Sequence, residues 1–263
     1  CIQESAIYFG TMTLMVSASY AFVQGDSFLD YVKNKNIRLT GNSRFSDRVR
    51  ANKNNTKVFN QKVLVNLNFS QGQSVTEIGC WLDGVIESAR VLEDKGWQFV
   101  YMTHPRDLTD YPKEFGLENV VKSNANVLPE FLSDSMYLVS RFSSVIQEAI
   151  IERCYVIYLD DNNYGFDFEA DGNIIFEVSD ATEIVDIVEC TAKKTSRLNF
   201  PESIRDIYIA RHFSVFADIA EVKIAESLIN IYKSDATHDH TFKVPFGFRL
   251  WVQLKNILKK IVS

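Results

Sequence analysis

From Lys62 onward, unbroken apolar runs alternate with stretches in which apolar residues recur every three or four positions. The first run, Val63-Leu64-Val65-Asn66-Leu67, has the continuous apolar character of a strand buried on both faces of a parallel sheet. Ile78, Trp81, Leu82, Val85, Ile86, Ala89 and Leu92 then follow at helical spacing, and Lys95-Gly96 ends that helix. Gln98-Phe99-Val100-Tyr101-Met102 is the next strand, followed by a polar loop through Tyr111-Pro112 and a short strand Asn119-Val120-Val121. Val127 to Leu132 reads as helix, Met136-Tyr137-Leu138-Val139 as strand, and Val145 onward as helix again. Tyr155 to Leu159, Ile174 to Phe176 and the helix Ala181 to Lys193 complete the series. Strands alternating with helices at this interval predict βαβ crossovers and an α/β, Rossmann-like, doubly wound parallel sheet.

The flanks differ. Ala21 to Gln24 reads as a short strand, Asp26 as the cap of a helix Phe28 to Lys33, and Ile37 to Thr40 as a second strand closed by Gly41-Asn42. Arg44 to Arg50 is short and polar, and Ala51 to Lys57 has the polar composition of a linker. The chain opens on Cys1 and runs directly into apolar sequence, so residues 1–57 read as the end of an N-terminal domain whose earlier part is missing. Residues 58–200 form the expected nucleotide-binding body, and residues 201–263 are helical. In that last part Phe213, Phe216, Ile219, Ala220, Ile224, Leu228 and Ile231 form one amphipathic series. The final segment carries Lys243, Arg249, Lys255, Lys259 and Lys260 opposite Leu250, Trp251, Leu254, Ile257, Leu258 and Ile261. Such a helix either packs its apolar face on the body or lies on an anionic membrane surface through Lys255, Lys259 and Lys260.

Composition narrows the class. At 263 residues with 46% hydrophobic content, the chain can bury a substantial core. A net charge of -6 argues against a nucleic-acid partner. The four cysteines, Cys1, Cys80, Cys154 and Cys190, lack metal-ligand spacing, and Cys154 beside a strand reads as a buried thiol in a reducing cytoplasm. No run is long enough to cross a membrane; Ala6 to Val23 is interrupted by Gly10, Thr11, Thr13, Ser17 and Ser19. His104, His212, His238 and His240 make no metal site by spacing. No metal and no cofactor are expected.

In an open α/β sheet, ligands bind beyond the carboxyl ends of the strands. Four polar clusters fall there: Asn66 with Asn68, His104 with Arg106, Ser143 with Ser144, and Glu148 one turn into the following helix. Ser143, Ser144, His104 and Arg106 are donors for a phosphate, and a carboxylate such as Glu148 accepts from a sugar hydroxyl. Each has a plainer reading as well: serines cap helices, His104-Pro105 makes a turn, Glu148 is a solvated helix residue, and the asparagines finish a strand. Asp160-Asp161 follows another strand end and fits a turn cap.

With those residues in view, the chain resembles bacterial surface-carbohydrate (capsule and lipopolysaccharide) biosynthesis proteins of glycosyltransferase-B (GT-B) architecture. The likeness rests on Val65-Asn66-Leu67-Asn68-Phe69, similar to the family's "NTNF" segment, on His104-Pro105, on Ser143-Ser144 with Glu148-Ala149, and on Leu39-Thr40-Gly41-Asn42-Ser43-Arg44-Phe45, similar to "vtGNpRf". The order of His-Pro and Ser-Ser is also similar to that in polysialyltransferases, Kdo transferases and the CDP-glycerol glycerophosphotransferases of teichoic acid synthesis. The resemblance implies the C-terminal half of a GT-B fold, holding a CMP-, UDP- or CDP-linked donor. It implies His104, Ser143 and Ser144 on the donor phosphate and Glu148 on the ribose or sugar. Transfer would go to a polysaccharide or glycolipid acceptor at the inner face of the cytoplasmic membrane. Where relatives often carry Arg just before His-Pro, this chain has Met102-Thr103, and no catalytic base or nucleophile is named. The implied activity is a glycosyltransferase. Transfer of a polyol phosphate from a CDP donor is the alternative on the same scaffold, and a non-catalytic membrane-docking module the alternative outside enzymology.

Overall fold

The computed structural model describes residues 21–26, 29, 36–53, 60–67, 73–124, 126–160, 171–195, 200–215 and 217–235. Asn68, the helix expected over 28–33, Asp161, His238, His240 and the basic segment with Lys255, Lys259 and Lys260 lie outside the described residues. The chain divides into two compact units, one of Cys1–Ala51 with Tyr208–Ser263 and one of Asn52–Ile207.

Among the described residues of the first unit, two short strands, β1 (Ala21–Val23) and β2 (Ile37–Leu39), run parallel, paired from Ala21 with Ile37 to Val23 with Leu39. Beyond them, buried Asn42 donates its side-chain amide to buried Gln24 at 3.0 Å and accepts from the Arg44 N–H at 3.0 Å, so one side chain joins the two strand ends and sets the turn. Helix α1 (Ser46–Asn52) follows and includes Ala51 and Asn52, which the polar composition had assigned to a linker.

In the second unit, β3 (Lys62–Asn66), α2 (Val75–Glu93), β4 (Gln98–Thr103), α3 (Tyr111–Phe115), β5 (Val120–Lys122), α4 (Val127–Asp134), β6 (Tyr137–Ser140), α5 (Val145–Ile151), β7 (Tyr155–Leu159), β8 (Ile175–Val178) and α6 (Glu183–Thr195) follow one another. The six strands are all parallel, in the order β5-β4-β3-β6-β7-β8. That is the doubly wound order, which steps outward from β3 to β5, returns, and steps outward again from β6 to β8. The Rossmann-like α/β architecture is thus present. The central strands β6 and β7 are buried at every position, as their uninterrupted apolar runs require. Right-handed crossovers place α2 on one face and α4 and α5 on the other. Accordingly α2 packs with α6, and α4 with α5.

Local chemistry sets the helix ends. A capping box starts α2: the Ser74 hydroxyl accepts from the Glu77 N–H, and the Glu77 carboxylate accepts from the Ser74 N–H. Gly96, at φ 89°, turns the chain out of α2 and lets the Trp97 N–H reach the Leu92 carbonyl at 3.1 Å. Helix α3 stands where a polar loop was expected. The Asp110 side chain accepts from the Lys113 N–H, Pro112 falls in the first turn, and Gly116 closes the helix at φ 66°. Cys154 is buried, as its place beside a strand implied.

The end of α5 is closed by backbone and side-chain bonds together. Arg153 takes φ 57°, and the Cys154 N–H reaches back to the Ala149 carbonyl at 2.9 Å, a Schellman closure made without glycine. Helix α7 (Glu202–Phe213) supplies Arg205, whose buried guanidinium donates to the carbonyls of Ile150 at 3.2 Å and Ile151 at 3.0 Å. Glu202 pairs with both Arg153 and Arg205. Burial, then the nearby Arg153, pull the Arg205 pKa below its ordinary value, opposed by Glu202, Asp206 and Glu152.

Residues of α7 from Tyr208 onward belong to the first unit. There the sequence shows an amphipathic series from Phe213 to Ile231. Instead α7 stops at Phe213, Ser214 turns at φ 70°, a 3-10 turn covers Ala217–Ile219, and α8 (Ala220–Asp235) begins afresh. Phe22 packs with Ile224, Leu228 and Ile231 of α8, and the Phe45 ring meets Phe213 edge-on at 5.4 Å. A Cβ on Gly25 would fall 2.3 Å from the His212 backbone, so glycine is required at that approach.

Replacing Arg205 with Met removes the side-chain donors from the buried carbonyls of Ile150 and Ile151, leaving Ile150 its backbone donor, the Arg153 N–H. An unsatisfied buried acceptor costs about 1–3 kcal/mol. Urea unfolding of Arg205→Met is expected to show a loss of that size, and an unchanged midpoint would contradict this account of α5.

Candidate functional site

The order of the sheet reverses between β3 and β6, and the crevice beyond that reversal is the ligand position of doubly wound sheets. Three of the sequence clusters meet at this edge. Asn66 closes β3 and is paired with Met102 of β4 on one side and Ser140 of β6 on the other. Its side-chain amide donates to the buried Ser140 hydroxyl at 2.9 Å, and that hydroxyl donates to the Arg141 carbonyl at 2.7 Å. The ends of the two switch-point strands are therefore bonded through side chains as well as backbone.

His104 follows the last residue of β4, half-buried, in a loop with built-in order. Its carbonyl accepts from the Asp107 N–H at 2.9 Å, and its Nδ1 accepts from the Arg106 N–H at 3.2 Å. A ring nitrogen that accepts is unprotonated, so the neutral ring carries its proton on Nε2 and is a donor there. The buried Asp107 carboxylate accepts from the Thr109 N–H at 3.0 Å and the Tyr111 hydroxyl at 2.9 Å, pinning the loop to α3. Arg106 itself is exposed.

Ser143 and Ser144 precede α5, both half-buried. Ser144 occupies the N-cap position with helical backbone angles, and its side chain makes no cap bond; the Ser143 hydroxyl instead accepts from the Val145 N–H at 3.2 Å. The capping expected of the pair is thus done by Ser143 from one residue further out. Glu148, read from sequence as either a sugar acceptor or a solvated residue, is only 3% exposed, which removes the solvated reading. It sits in the first turn of α5, where the helix dipole favours negative charge. Asp160 follows the end of β7, half-buried.

Sequence reasoning passed over Ser140, Arg141, Asp107 and Trp81. Ser140 and Arg141 sit between the apolar run and the serine pair and read only as spacers. The bond from Tyr111 to Asp107 runs from the start of α3 back into the loop, so no helical spacing announced it. Among the described residues no group of three or more His, Cys, Asp or Glu side chains is arranged to hold a metal ion, and no helix is long and apolar enough to cross a membrane.

No protein-family model matches the chain, and no curated protein matches it in sequence. Solved structures are similar in fold. The UDP-GlcNAc 2-epimerase from Neisseria meningitidis, bound to UDP-GlcNAc, aligns with a TM-score of 0.51 at 14% identity, over 87% of this chain and 68% of that one. The Methanocaldococcus jannaschii UDP-GlcNAc 2-epimerase, in complex with UDP-GlcNAc and UDP, aligns with a TM-score of 0.50 at 14% identity, over 82% of this chain and 61% of that one. The wall teichoic acid polymerase TagF aligns with a TM-score of 0.48 at 15% identity, over 84% of this chain and 60% of that one. The chain thus spans 61% of the length of the Methanocaldococcus enzyme. The likeness to the two epimerases is one of fold.

The pKa of His104 lies below the ordinary histidine value of 6.5, first because the ring is partly desolvated and then because of the Arg106 charge, with Asp107 opposing. The unfolded chain therefore holds this proton more tightly. The resulting stability is complete above the unfolded value and is lost as pH falls through the lower folded one. An NMR titration should place the His104 midpoint below 6.5, with Arg106→Gln moving it upward. A midpoint at or above 6.5 would contradict the described surroundings.

Proposed function

We propose that this chain is the donor-binding part of an enzyme that uses a nucleotide-activated sugar, and specifically a glycosyltransferase of cell-surface polysaccharide synthesis. The observation that carries the reading is the meeting of Asn66, His104 and the Ser140–Ser144 turn where the strand order reverses. These residues were singled out from the sequence for chemistry and lie on three separate strand ends. Two structures sharing the fold hold UDP-GlcNAc, which supports a nucleotide-sugar ligand.

In this reading the donor lies against residues 58–200, with its phosphates beyond β4 and β6. His104 at neutral pH is an uncharged Nε2–H donor; the Ser144 hydroxyl, not engaged in capping, and the Arg106 guanidinium add further donors. Glu148 accepts from a hydroxyl of the ribose or sugar. During transfer the bond from the anomeric carbon to the phosphate oxygen breaks, an acceptor hydroxyl oxygen bonds to that carbon and releases its proton to solvent, and negative charge gathers on the departing nucleotide. Preorganised donors at that oxygen stabilise the charge as it develops. The ordered His-Pro and Ser-Ser pair is equally suited to a CDP-polyol donor, in which the phosphorus is attacked instead. The preferred nucleotide separates the two: a strict CDP preference favours the polyol phosphate.

Thermal melting with CMP, CDP, UDP and GDP in parallel tests the proposal. A nucleotide present at about 100 times its dissociation constant should add about 2.7 kcal/mol of stability. One base should dominate, and His104→Ala should remove most of the shift. If none of the four raises the melting temperature, the reading fails.

A further inference from the structure

Strand β5 ends on Lys122, which pairs with Thr103, the last residue of β4. The Ser123 N–H then donates to the Thr103 carbonyl at 2.9 Å, so the pairing runs one residue past the strand and sets Ser123 level with His104. Neighbouring strands lie about 4.8 Å apart. Lys122 and Ser123 therefore stand one strand spacing outward from His104, on the carboxyl edge of the sheet.

Their bonding is the second observation. Lys122 is exposed and Ser123 half-buried, and among the described residues neither the ammonium nor the hydroxyl has a bonded partner. By contrast, Lys62, Lys95 and Lys113 of the same unit each meet a carboxylate, on Asp134, Glu189 and Glu114. An ammonium is a compact charge with three donors, and a serine hydroxyl adds one more, a set that suits the oxygens of a phosphate. A lysine on an outer strand also discourages pairing with another chain, a role that asks nothing of a ligand.

We propose that Lys122 and Ser123 bind the second phosphate of a nucleoside diphosphate, so that the site takes diphosphate-linked donors in preference to CMP-linked ones. The inference rests on the nucleotide-sugar reading above and narrows its donor class. The first phosphate meets His104 and the Ser143–Ser144 turn. The second, joined to it by a shared oxygen, extends toward β5, where the Lys122 ammonium offsets its charge and the Ser123 hydroxyl donates to one oxygen. A monophosphate ends before it reaches them.

Calorimetric titration of the whole chain with CDP, UDP and GDP, and with CMP, UMP and GMP, tests the pair. For the preferred base the diphosphate is expected to bind at least about tenfold more tightly than the monophosphate, the size of a hydrogen bond to a charged group. Lys122→Gln removes the charge and keeps a polar side chain. It is expected to cut that ratio at least about fivefold by weakening the diphosphate alone, and Ser123→Ala to cut it about threefold. Lys122→Arg, which keeps the charge, should retain most of the ratio. A lysine that only guards the strand edge would leave both affinities at their wild-type values. One that only attracts anions at long range would weaken the two forms equally. Either result overturns the inference and leaves the nucleotide reading standing, as does a wild-type chain with equal affinity for both forms. A wild-type chain that binds none of the six overturns both.

Discussion

Parallel strands joined by right-handed crossovers step across a sheet in one direction until the chain returns to the middle and steps the other way. Here that return is the pairing of β3 with β6, from Val63 with Tyr137 to Asn66 with Ser140. Helices leaving the two strands go to opposite faces, so their first turns part and a crevice opens between them. Everything placed at that edge depends on this pairing. The bond from Asn66 to Ser140 ties the two strand ends, and the Leu67 N–H adds the Met102 carbonyl of β4 at 2.9 Å. Three strand ends are thereby held in fixed relation before any ligand arrives, which is the preorganisation that charge stabilisation requires.

Asp107 and Ser140 at this edge are buried, and their bonds explain how that is tolerated. Asp107 spends its carboxylate on Thr109 and Tyr111, stiffening the loop that carries His104. At the far end of α5, Arg205 takes up carbonyls that the helix leaves over, while Arg153 holds a left-handed turn that glycine would adopt more easily. Helix α5 therefore has its C-terminus anchored and presents its N-terminal turn, with Ser143, Ser144 and the buried Glu148, at the sheet edge.

Much of the fold could be read in advance because central strands of a parallel sheet must be apolar on both faces. Val63-Leu64-Val65 and Tyr155 to Leu159, short and apolar throughout, have the pattern of such strands. The order of the strands could not be read, since periodicity reports which face is buried and says nothing about which neighbour covers it. Helix α3 was hidden because five residues are too few to show a period; its stability comes from the Asp110 cap and the Tyr111 hydroxyl bond to Asp107. The break between α7 and α8 was hidden because apolar spacing continues through Ser214, whose positive φ depends on tertiary packing. At the site, His104 and the serine pair were legible as polar residues placed directly after apolar runs. The stacking of Arg141 on Trp81 was not, because it joins residues on two different strand–helix turns that only the folded sheet brings together.

Amide hydrogen exchange, followed with and without the stabilising nucleotide, tests the placement of the ligand most directly. The account requires protection at the strand ends flanking the reversal, in peptides covering Asn66–Leu67, Thr103–Asp107 and Ser140–Val145. Protection that leaves these three segments unchanged, with the nucleotide bound, would place the site elsewhere and contradict the account.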